Sequence, residues 1–200
     1  MKLIKSVLWK SFIMVVVMSL VCGVIYPVVV TGISQLCFKD KANGSLIEKD
    51  GVKYGSELLA QQFTEDKYLW GRVMSADVDT FTDDTGNPLY YSGPSNLSPA
   101  SEDYQAVIAE RVAQMKAANP DVTDEKVPVE LVTNSGSGLD PQISVNAANY
   151  QVPRIAKARG MSEDEVKSII SKYTTQKLAG VLGEDVVNVL RVNLALDGIL

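Results

Sequence analysis

Ser11–Phe38 reads SFIMVVVMSLVCGVIYPVVVTGISQLCF, twenty-eight residues with no Asp, Glu, Lys, Arg or His. A helix rises about 1.5 Å per residue, so this stretch can reach about 42 Å. The hydrocarbon core of a bilayer is only ~30 Å thick. All twenty-four Asp and Glu residues lie at or beyond Asp40. The pattern predicts one transmembrane helix, residues 11–38, that carries an acidic domain.

The flanking charges predict the orientation of this helix. Three lysines precede the apolar stretch and two follow it: Lys2, Lys5 and Lys10 against Lys39 and Lys41. Lys and Arg beside a membrane segment are retained on the cytoplasmic side. We therefore expect a cytoplasmic tail at residues 1–10, a single pass through the inner or plasma membrane, and an extracytoplasmic domain over residues 39–200.

A cleaved signal peptide and a lipoprotein signal are the alternatives to a retained anchor. A secretory signal has an apolar centre of roughly 7–15 residues followed by a small-x-small cleavage site. The apolar run here continues beyond that length, and bulky Val21 precedes Cys22 where a lipid-attachment site needs a small residue. The retained anchor is favoured.

The composition argues against several kinds of enzyme. There is no histidine, the usual general base for Ser and Cys nucleophiles and a common ligand of zinc. The only cysteines, Cys22 and Cys37, lie on the predicted membrane helix, about 22 Å apart. Neither G-x-x-x-x-G-K-[ST] nor G-x-G-x-x-G occurs. We therefore predict no catalytic residue, no metal site and no cofactor bound by this chain alone.

Small or unusual residues recur at every fourth position of the apolar stretch. They are Ser19, Gly23, Pro27 and Thr31. This spacing places them along one side of a helix, and membrane helices associate where small residues let their backbones approach. The stripe predicts a contact face for another membrane helix, although such residues are also common in membrane helices generally. Pro27 is expected to loosen the turn near Gly23.

Beyond the membrane segment the sequence predicts three helices from their end signals. A helix over residues 99–118 would begin at Ser98-Pro99. A second would run from Ser144 to about Arg159, closed by Gly160, with a bend at Pro153. A third would begin with the capping box of Ser162 and Glu165. The first helix should bury one apolar face, formed by Tyr104, Val107, Ile108, Val112 and Met115.

Extended structure is predicted at residues 44–47, 127–133 and 187–196. In the last segment apolar and polar residues alternate as in a half-buried strand, but Val186, Leu190 and Leu194 also fit a helix. Residues 71–97 form a long, turn-rich connection, which we expect to be ordered because Trp70, Tyr90 and Tyr91 need burial. The fold class is α+β: one N-terminal transmembrane helix followed by a single α+β extracytoplasmic domain.

Acidic residues concentrate in this long connection and in the helix after it. Between Arg72 and Arg111 there are seven acids and no base. From Lys39 onward, sixteen Lys and Arg face twenty-four Asp and Glu, a net charge of −8 that should repel nucleic acid. A solvated face is the ordinary interpretation and a cation-attracting surface the other. We define the acidic patch as Asp77, Asp79, Asp83 and Asp84.

The densest cluster of Gly and Ser is the loop Ser135-Gly136-Ser137-Gly138-Leu139-Asp140. Glycine permits positive φ, and serine hydroxyls with exposed amides can form an anion-binding nest. A tight turn before the helix that starts at Ser144 is the alternative, which residue chemistry favours.

Motifs along nearly the whole chain resemble the C subunit of the Kdp potassium-transporting ATPase. The most specific are the Ser135–Asp140 loop followed by Pro141 and the C-terminal block from Val187 to Asp197. Others occur in the same order: Val24-Ile25-Tyr26-Pro27, Val30-Thr31-Gly32-Ile33, Gly44-Ser45-Leu46-Ile47, Gly55-Ser56, Gln62-Phe63, Trp70-Gly71-Arg72, Ser95-Asn96-Leu97, Gln151 with Arg154, and Ala158-Arg159-Gly160.

The resemblance implies a non-catalytic accessory subunit of a P-type ATPase complex that imports potassium. Ion conduction and ATP hydrolysis would belong to larger partner subunits, and ATP and potassium would be bound at the level of the complex. The family is described as a catalytic chaperone that raises the ATP affinity of the hydrolysing subunit. The Ser135–Asp140 loop would then contact a partner or nucleotide.

Two functional hypotheses follow. In the first, the outer domain caps the ion entrance of the conducting subunit, stabilises assembly and presents the acidic patch to potassium; any effect on ATP would travel through the helix stripe. In the second, the chain is a stand-alone membrane-anchored binding protein for an extracytoplasmic ligand.

Overall fold

The computed structural model describes the backbone of residues 2–200 and the side chains of residues 4–77 and 81–200. The chain divides into two compact units, with the boundary after Leu46. The described chain combines a long apolar N-terminal helix with a sheet-containing unit, so the α+β prediction is confirmed.

The first unit is a nearly continuous helix. Helix α1 (Lys2–Leu20) passes through a π-turn (Val21–Ile25) into α2 (Tyr26–Cys37), and a short α3 (Lys39–Ala42) follows. By length and composition the span Ile4–Cys37 is able to cross a membrane. Its bulky apolar side chains are exposed, which suits a segment whose solvent is lipid.

The π-turn has an identifiable cause in Pro27. Proline has no N–H to offer the carbonyl four residues earlier, and its ring collides with that carbonyl. The turn widens here: the Tyr26 amide donates to the carbonyl of Val21, five residues back. The predicted loosening near Gly23 is confirmed.

The second unit contains seven short strands in three sheets. Strands β1 (Leu46–Lys49) and β2 (Val52–Ser56) pair with each other, and β3 (Ala76–Thr82) and β4 (Pro88–Ser92) form an antiparallel hairpin. The third sheet has β7 (Val186–Asn188) in the centre, between β5 (Gln142–Ser144) and β6 (Thr174–Thr175), with antiparallel pairing on both sides.

Five helices complete the second unit. They are α4 (Glu102–Ala118), α5 (Val145–Tyr150), α6 (Val152–Arg159), α7 (Glu163–Lys172) and α8 (Val189–Leu196). Ser144 caps α5, the chain breaks helical structure at Gln151 ahead of Pro153, and Gly160 ends α6 with φ +65°. The Ser162–Glu165 capping box at the start of α7 is confirmed. Helix α4 begins later than predicted, because Ser101 rather than Ser98 supplies its cap.

Two predicted strands are wrong. Residues 127–133 contain a 3₁₀ turn, Val129–Leu131, which follows Pro128, a residue that cannot donate to a sheet. Of residues 187–196 only the beginning is extended: the Asn188 side chain accepts from the Arg191 amide and starts α8. The helical alternative prevails because α8 buries apolar side chains against two clusters, which one strand face could not do.

The long connection also differs from the prediction. Residues 71–97 are ordered, but by the β3–β4 hairpin and not by burial of aromatic rings. Tyr90 and Tyr91 are exposed, and Tyr91 instead packs its ring edge-on against Phe81, 5.4 Å between centroids. Trp70 is half-buried.

The core lies around α5–α8 and the three-stranded sheet. Its fully buried members include Leu69, Ile143, Val152, Ile155, Val166, Val187 and Val192. A smaller cluster of Ile47, Leu190 and Leu194 covers the other side of α8. Helix α4 contributes only Met115 as a buried residue; the remaining residues of its predicted apolar face are half-buried.

Candidate functional site

The segment Asp66–Arg72 has no helix and no regular strand, and two buried amides hold it in place. Asn193 of α8 accepts from the Leu69 amide at 2.8 Å and donates to the Leu69 carbonyl at 2.9 Å. Gln151, between α5 and α6, accepts from the Trp70 amide at 2.9 Å and donates to the Trp70 carbonyl at 3.0 Å. The two side chains thereby act as the neighbouring strand that the segment lacks. We call Asp66–Arg72 the clamped segment.

A buried arginine reinforces this clamp. Arg154 of α6 donates to the Asp66 carbonyl at 2.7 Å and the Tyr68 carbonyl at 3.1 Å, and also to Gln151 Oε1 at 2.7 Å. Its guanidinium lies over the Trp70 ring, 4.1 Å from the centroid. Burial lowers the pKa of Arg154 to about 10, which the charge of Asp66 partly opposes. The group therefore stays cationic at neutral pH, and carbonyl oxygens satisfy it.

A second arginine joins the clamped segment to the end of α8. Arg159 donates to the carbonyls of Lys67 and Leu196, both at 2.6 Å, and to Asp197 Oδ1 at 2.7 Å. The other oxygen of Asp197 accepts from the Tyr68 hydroxyl at 3.0 Å. Burial, and then this hydrogen bond, raises the pKa of Tyr68. The motifs around Trp70, Gln151, Arg159 and Asn193 thus form one polar network.

The Ser135–Asp140 loop lies against the same part of the unit. Arg72 donates to the Asn134 carbonyl at 3.1 Å and pairs with Asp140 Oδ2 at 3.3 Å. The Ser75 amide donates to the Gly138 carbonyl at 2.9 Å, and the Ala60 amide to the Leu139 carbonyl at 3.0 Å. The loop therefore contacts two distant segments of the chain, at Ala60 and at Arg72–Ser75.

Locally this loop is the tight turn that the sequence favoured. Asp140 Oδ1 accepts from the Gln142 amide, the hydroxyls of Ser135 and Ser137 lie 3.3 Å apart, and Ser137 Oγ accepts from the Leu139 amide. The two serine hydroxyls thus bond within the loop, whereas the Asp140 carboxylate bonds to Gln142 and Arg72 beside it. Gly138 has φ +72°, and a Cβ built on it would lie 2.6 Å from the Ser75 carbonyl oxygen and 2.7 Å from that of Gly93.

A cavity of about 420 Å³ opens beside the clamped segment. Trp70 and Arg72 line it from the segment and Arg111 from α4, over an apolar floor of Phe63, Met115 and Leu131. Arg111 is fixed by the Val132 carbonyl at 3.1 Å and by Asn134 Oδ1 at 2.9 Å. Apolar walls with a few convergent polar groups are typical of a recognition pocket.

The described side chains of the acidic patch lie in different surroundings. Asp83 is part of the hairpin turn, where it accepts from the amides of Thr85 and Asn87 and from both of their side chains at 2.7–2.9 Å. These hydrogen bonds hold the pKa of Asp83 well below its usual range. Asp84 is exposed and Asp77 half-buried, whereas the side chain of Asp79 lies outside the described residues. In the described part of the chain no three His, Cys, Asp or Glu side chains are grouped to hold a metal ion.

The helix stripe is exposed along its length, and Gly23 has open space where a side chain would be. Residues four apart drift around an α-helix, because one turn takes only 3.6 residues. A π-turn takes more residues per turn, so the drift is reduced between Ser19 and Pro27. The π-turn thus aligns Ser19, Gly23 and Pro27 better than a regular helix would.

Sequence reasoning gave no structural role to the amides and arginines of the polar network. Gln151, Arg154, Arg159 and Asn193 entered only as pieces of family motifs. In the sequence Gln151, Arg154 and Asn193 stand out only as polar residues within apolar stretches, at positions 151–156 and 189–196. That signal predicts a buried polar interaction but does not name the partner.

Within the described residues, the chain is of the class that combines one helix able to span a membrane with an α+β unit, here organised around a buried polar network. The sequence model of the KdpC family, described as "K+-transporting ATPase, c chain", matches residues 8–198. The chain belongs to this family.

Its curated relatives are similar along their full length. Proteins named "Potassium-transporting ATPase KdpC subunit" are 58% identical over 195 residues in Clostridium perfringens and 58% identical over 200 residues in Clostridium botulinum, covering 98% and 100% of each chain. The protein of that name in Rhodopseudomonas palustris is 46% identical over 192 residues, 94% of each chain. The resemblance drawn from the motifs is confirmed.

Proposed function

We propose that this chain is a non-catalytic accessory subunit of an ATP-driven potassium import complex, where it stabilises assembly. Family membership over residues 8–198 is the observation that carries the proposal. The fold is compatible with it, because the polar network makes the α+β unit a preformed body that can dock without first becoming ordered. ATP and potassium would be bound by the complex and its larger subunits. A stand-alone anchored binding protein is the alternative, and the cavity beside Trp70 would be its ligand site.

The proposal extends to the ATP affinity of the hydrolysing subunit, on which the chain would act as a catalytic chaperone. With residues 1–10 cytoplasmic, little of the chain can meet cytoplasmic ATP. The helix stripe supports the route we propose: Ser19, Gly23, Pro27 and Thr31 would pack against a partner helix and transmit the effect. A direct contact of nucleotide with the Ser135–Asp140 loop is less favoured, because the two serine hydroxyls bond within the loop and Asp140 pairs with Arg72.

Enlarging Gly23 should separate the chain from its partners. In Gly23→Leu the new side chain would occupy the space that a close helix contact needs, and we expect at least a ten-fold loss of partner subunits co-purified in mild detergent. Complex that still forms should need more ATP for half-maximal hydrolysis. Val29→Leu, about half a turn from the stripe at Pro27 and Thr31, is the matched control.

The outcomes separate the proposals. If the unmodified chain purifies without large multi-span partners, the accessory-subunit proposal fails and the binding-protein alternative gains. If Gly23→Leu retains its partners and its ATP dependence, only the helix-packing route fails.

We further propose that residues 39–200 face outward and that acidic groups there enrich potassium near the ion entrance. Asp84 supports this best, since its side chain is exposed, whereas the Asp83 carboxylate accepts hydrogen bonds from the amides of its own turn. With Cys22 and Cys37 changed to Ser, Asp84→Cys in intact cells should react with a membrane-impermeant maleimide.

Asp84→Lys should raise the potassium concentration needed for half-maximal uptake, by about two-fold at low ionic strength. Thr123→Lys, which adds charge elsewhere, is the control. Labelling only after lysis would contradict the topology; unchanged uptake would remove the electrostatic role.

A further inference from the structure

The loop between β6 and β7 carries bulky aliphatic side chains into solvent. Leu178 is 72% exposed, Val181 78% and Leu182 63%. Surface loops are ordinarily polar, and neighbouring exposed aliphatic residues of one loop indicate an interaction site. We call residues 177–185 the apolar finger.

The finger is ordered without the support of the core. The Leu178 amide donates to the Leu182 carbonyl at 2.8 Å, and the Leu182 amide donates back at 3.1 Å. At its base the Lys177 amide donates to Asp185 Oδ1 at 2.8 Å, and Lys177 Nζ lies 3.6 Å from Glu184. Because its backbone is already closed on itself, the tip can be buried against a partner at little cost in conformational entropy.

The charges at the base indicate what the finger meets. The side chain of Glu184 is 84% exposed, and Lys177 Nζ lies 3.6 Å from one of its oxygens. Asp185 adds a second carboxylate at the base. With Lys177 the base has a net negative charge, in a domain whose net charge is −8. The surface of an anionic bilayer would repel this base. On a protein, an apolar recess bordered by Lys or Arg would bury the aliphatic tip and attract the negatively charged base.

Resting on the proposed function, we propose that the apolar finger docks into an apolar, basic-rimmed recess of a partner subunit of the complex. The finger leads directly into β7, the central strand of the three-stranded sheet, and β7 continues into α8, whose Asn193 holds the clamped segment. Docking of the finger would therefore fix the position of the sheet and of the polar network that α8 carries.

The test uses the full chain in the complex. A variant with Leu178→Ser, Val181→Ser and Leu182→Ser is compared with a control that changes three exposed aliphatic residues elsewhere, Val52→Ser, Leu59→Ser and Leu89→Ser. Partner subunits retained per chain after extended detergent washing should fall at least ten-fold for the finger variant and stay unchanged for the control. Equal retention by both variants overturns the proposal. Thermal unfolding of the two chains should match that of the unmodified chain, since neither set lies in the core.

Cross-linking identifies the occupant independently of stability. In a Cys22→Ser, Cys37→Ser background, Val181→Cys is labelled with benzophenone maleimide before the chain is assembled with its partner subunits in lipid nanodiscs, and the complex is then illuminated. A cross-link to a partner subunit is expected. Adducts with lipid alone, or none with any partner, overturn the proposal. Failure of the unmodified chain to bring down any partner would instead refute the proposed function itself.

Discussion

Replacing Gly138 with alanine is expected to destabilise the α+β unit by about 2–5 kcal/mol. The residue has φ +72°, a conformation that costs an L side chain about 1–2 kcal/mol. The new Cβ would also lie 2.6 Å from the Ser75 carbonyl oxygen and 2.7 Å from that of Gly93. Both neighbours are backbone atoms, so the loop must move, at an overpacking cost of roughly 1–3 kcal/mol.

A movement of the loop would also break its contacts with Ser75 and Arg72. The Gly138 carbonyl accepts a hydrogen bond from the Ser75 amide, and Asp140, two residues after Gly138, pairs with Arg72. The measurement is chemical unfolding of the full chain in mild detergent, followed by the near-ultraviolet circular dichroism of its aromatic residues. Gly136→Ala is the matched control, because nothing lies within 4 Å of its built Cβ and its φ is not positive. Equal midpoints for the two variants would contradict the close approach at Gly138.

Elements specified by nearby residues were predictable from the sequence. The Ser162–Glu165 capping box, the start of α5 at Ser144 and the end of α6 at Gly160 each depend on atoms within four residues, and all three are confirmed. The π-turn before Pro27 is equally local. Such features are readable because their physical cause lies within the same few residues.

Elements decided by distant partners were not predictable. The stretch Val186–Leu196 fits both a strand and a helix, and the choice depends on which side of α8 the rest of the unit covers. The Ser135–Asp140 loop was predicted as a turn, but the carbonyls that crowd Gly138 come from Ser75 and Gly93. Burial of the polar network likewise requires Leu69 to meet Asn193, 124 residues further along the chain.

The polar network leads to the second large prediction: Gln151→Leu should destabilise the unit by about 3–5 kcal/mol. Leucine has a similar volume, so the loss isolates the hydrogen bonds. The Trp70 amide and carbonyl would both lose their partner, and the Arg154 guanidinium would lose an acceptor. Each unsatisfied buried polar group costs about 1–3 kcal/mol, and more when the group is charged.

Gln114→Leu is the matched control, since Gln114 is exposed and bonds only to the Glu110 side chain, at 3.1 Å; its unfolding free energy should change by less than about 0.5 kcal/mol.

Combining Gln151→Leu with Asn193→Leu tests whether the two amides act as one clamp. They hold consecutive residues, Leu69 and Trp70, so loss of either amide should release the same segment. The double variant should then lose less stability than the sum of the single losses, by at least about 1 kcal/mol, because water already reaches the segment in each single variant. Strict additivity in urea unfolding would mean that each amide supports a separate contact. The clamped segment would then not be the element that positions the cavity, the Ser135–Asp140 loop and the end of α8.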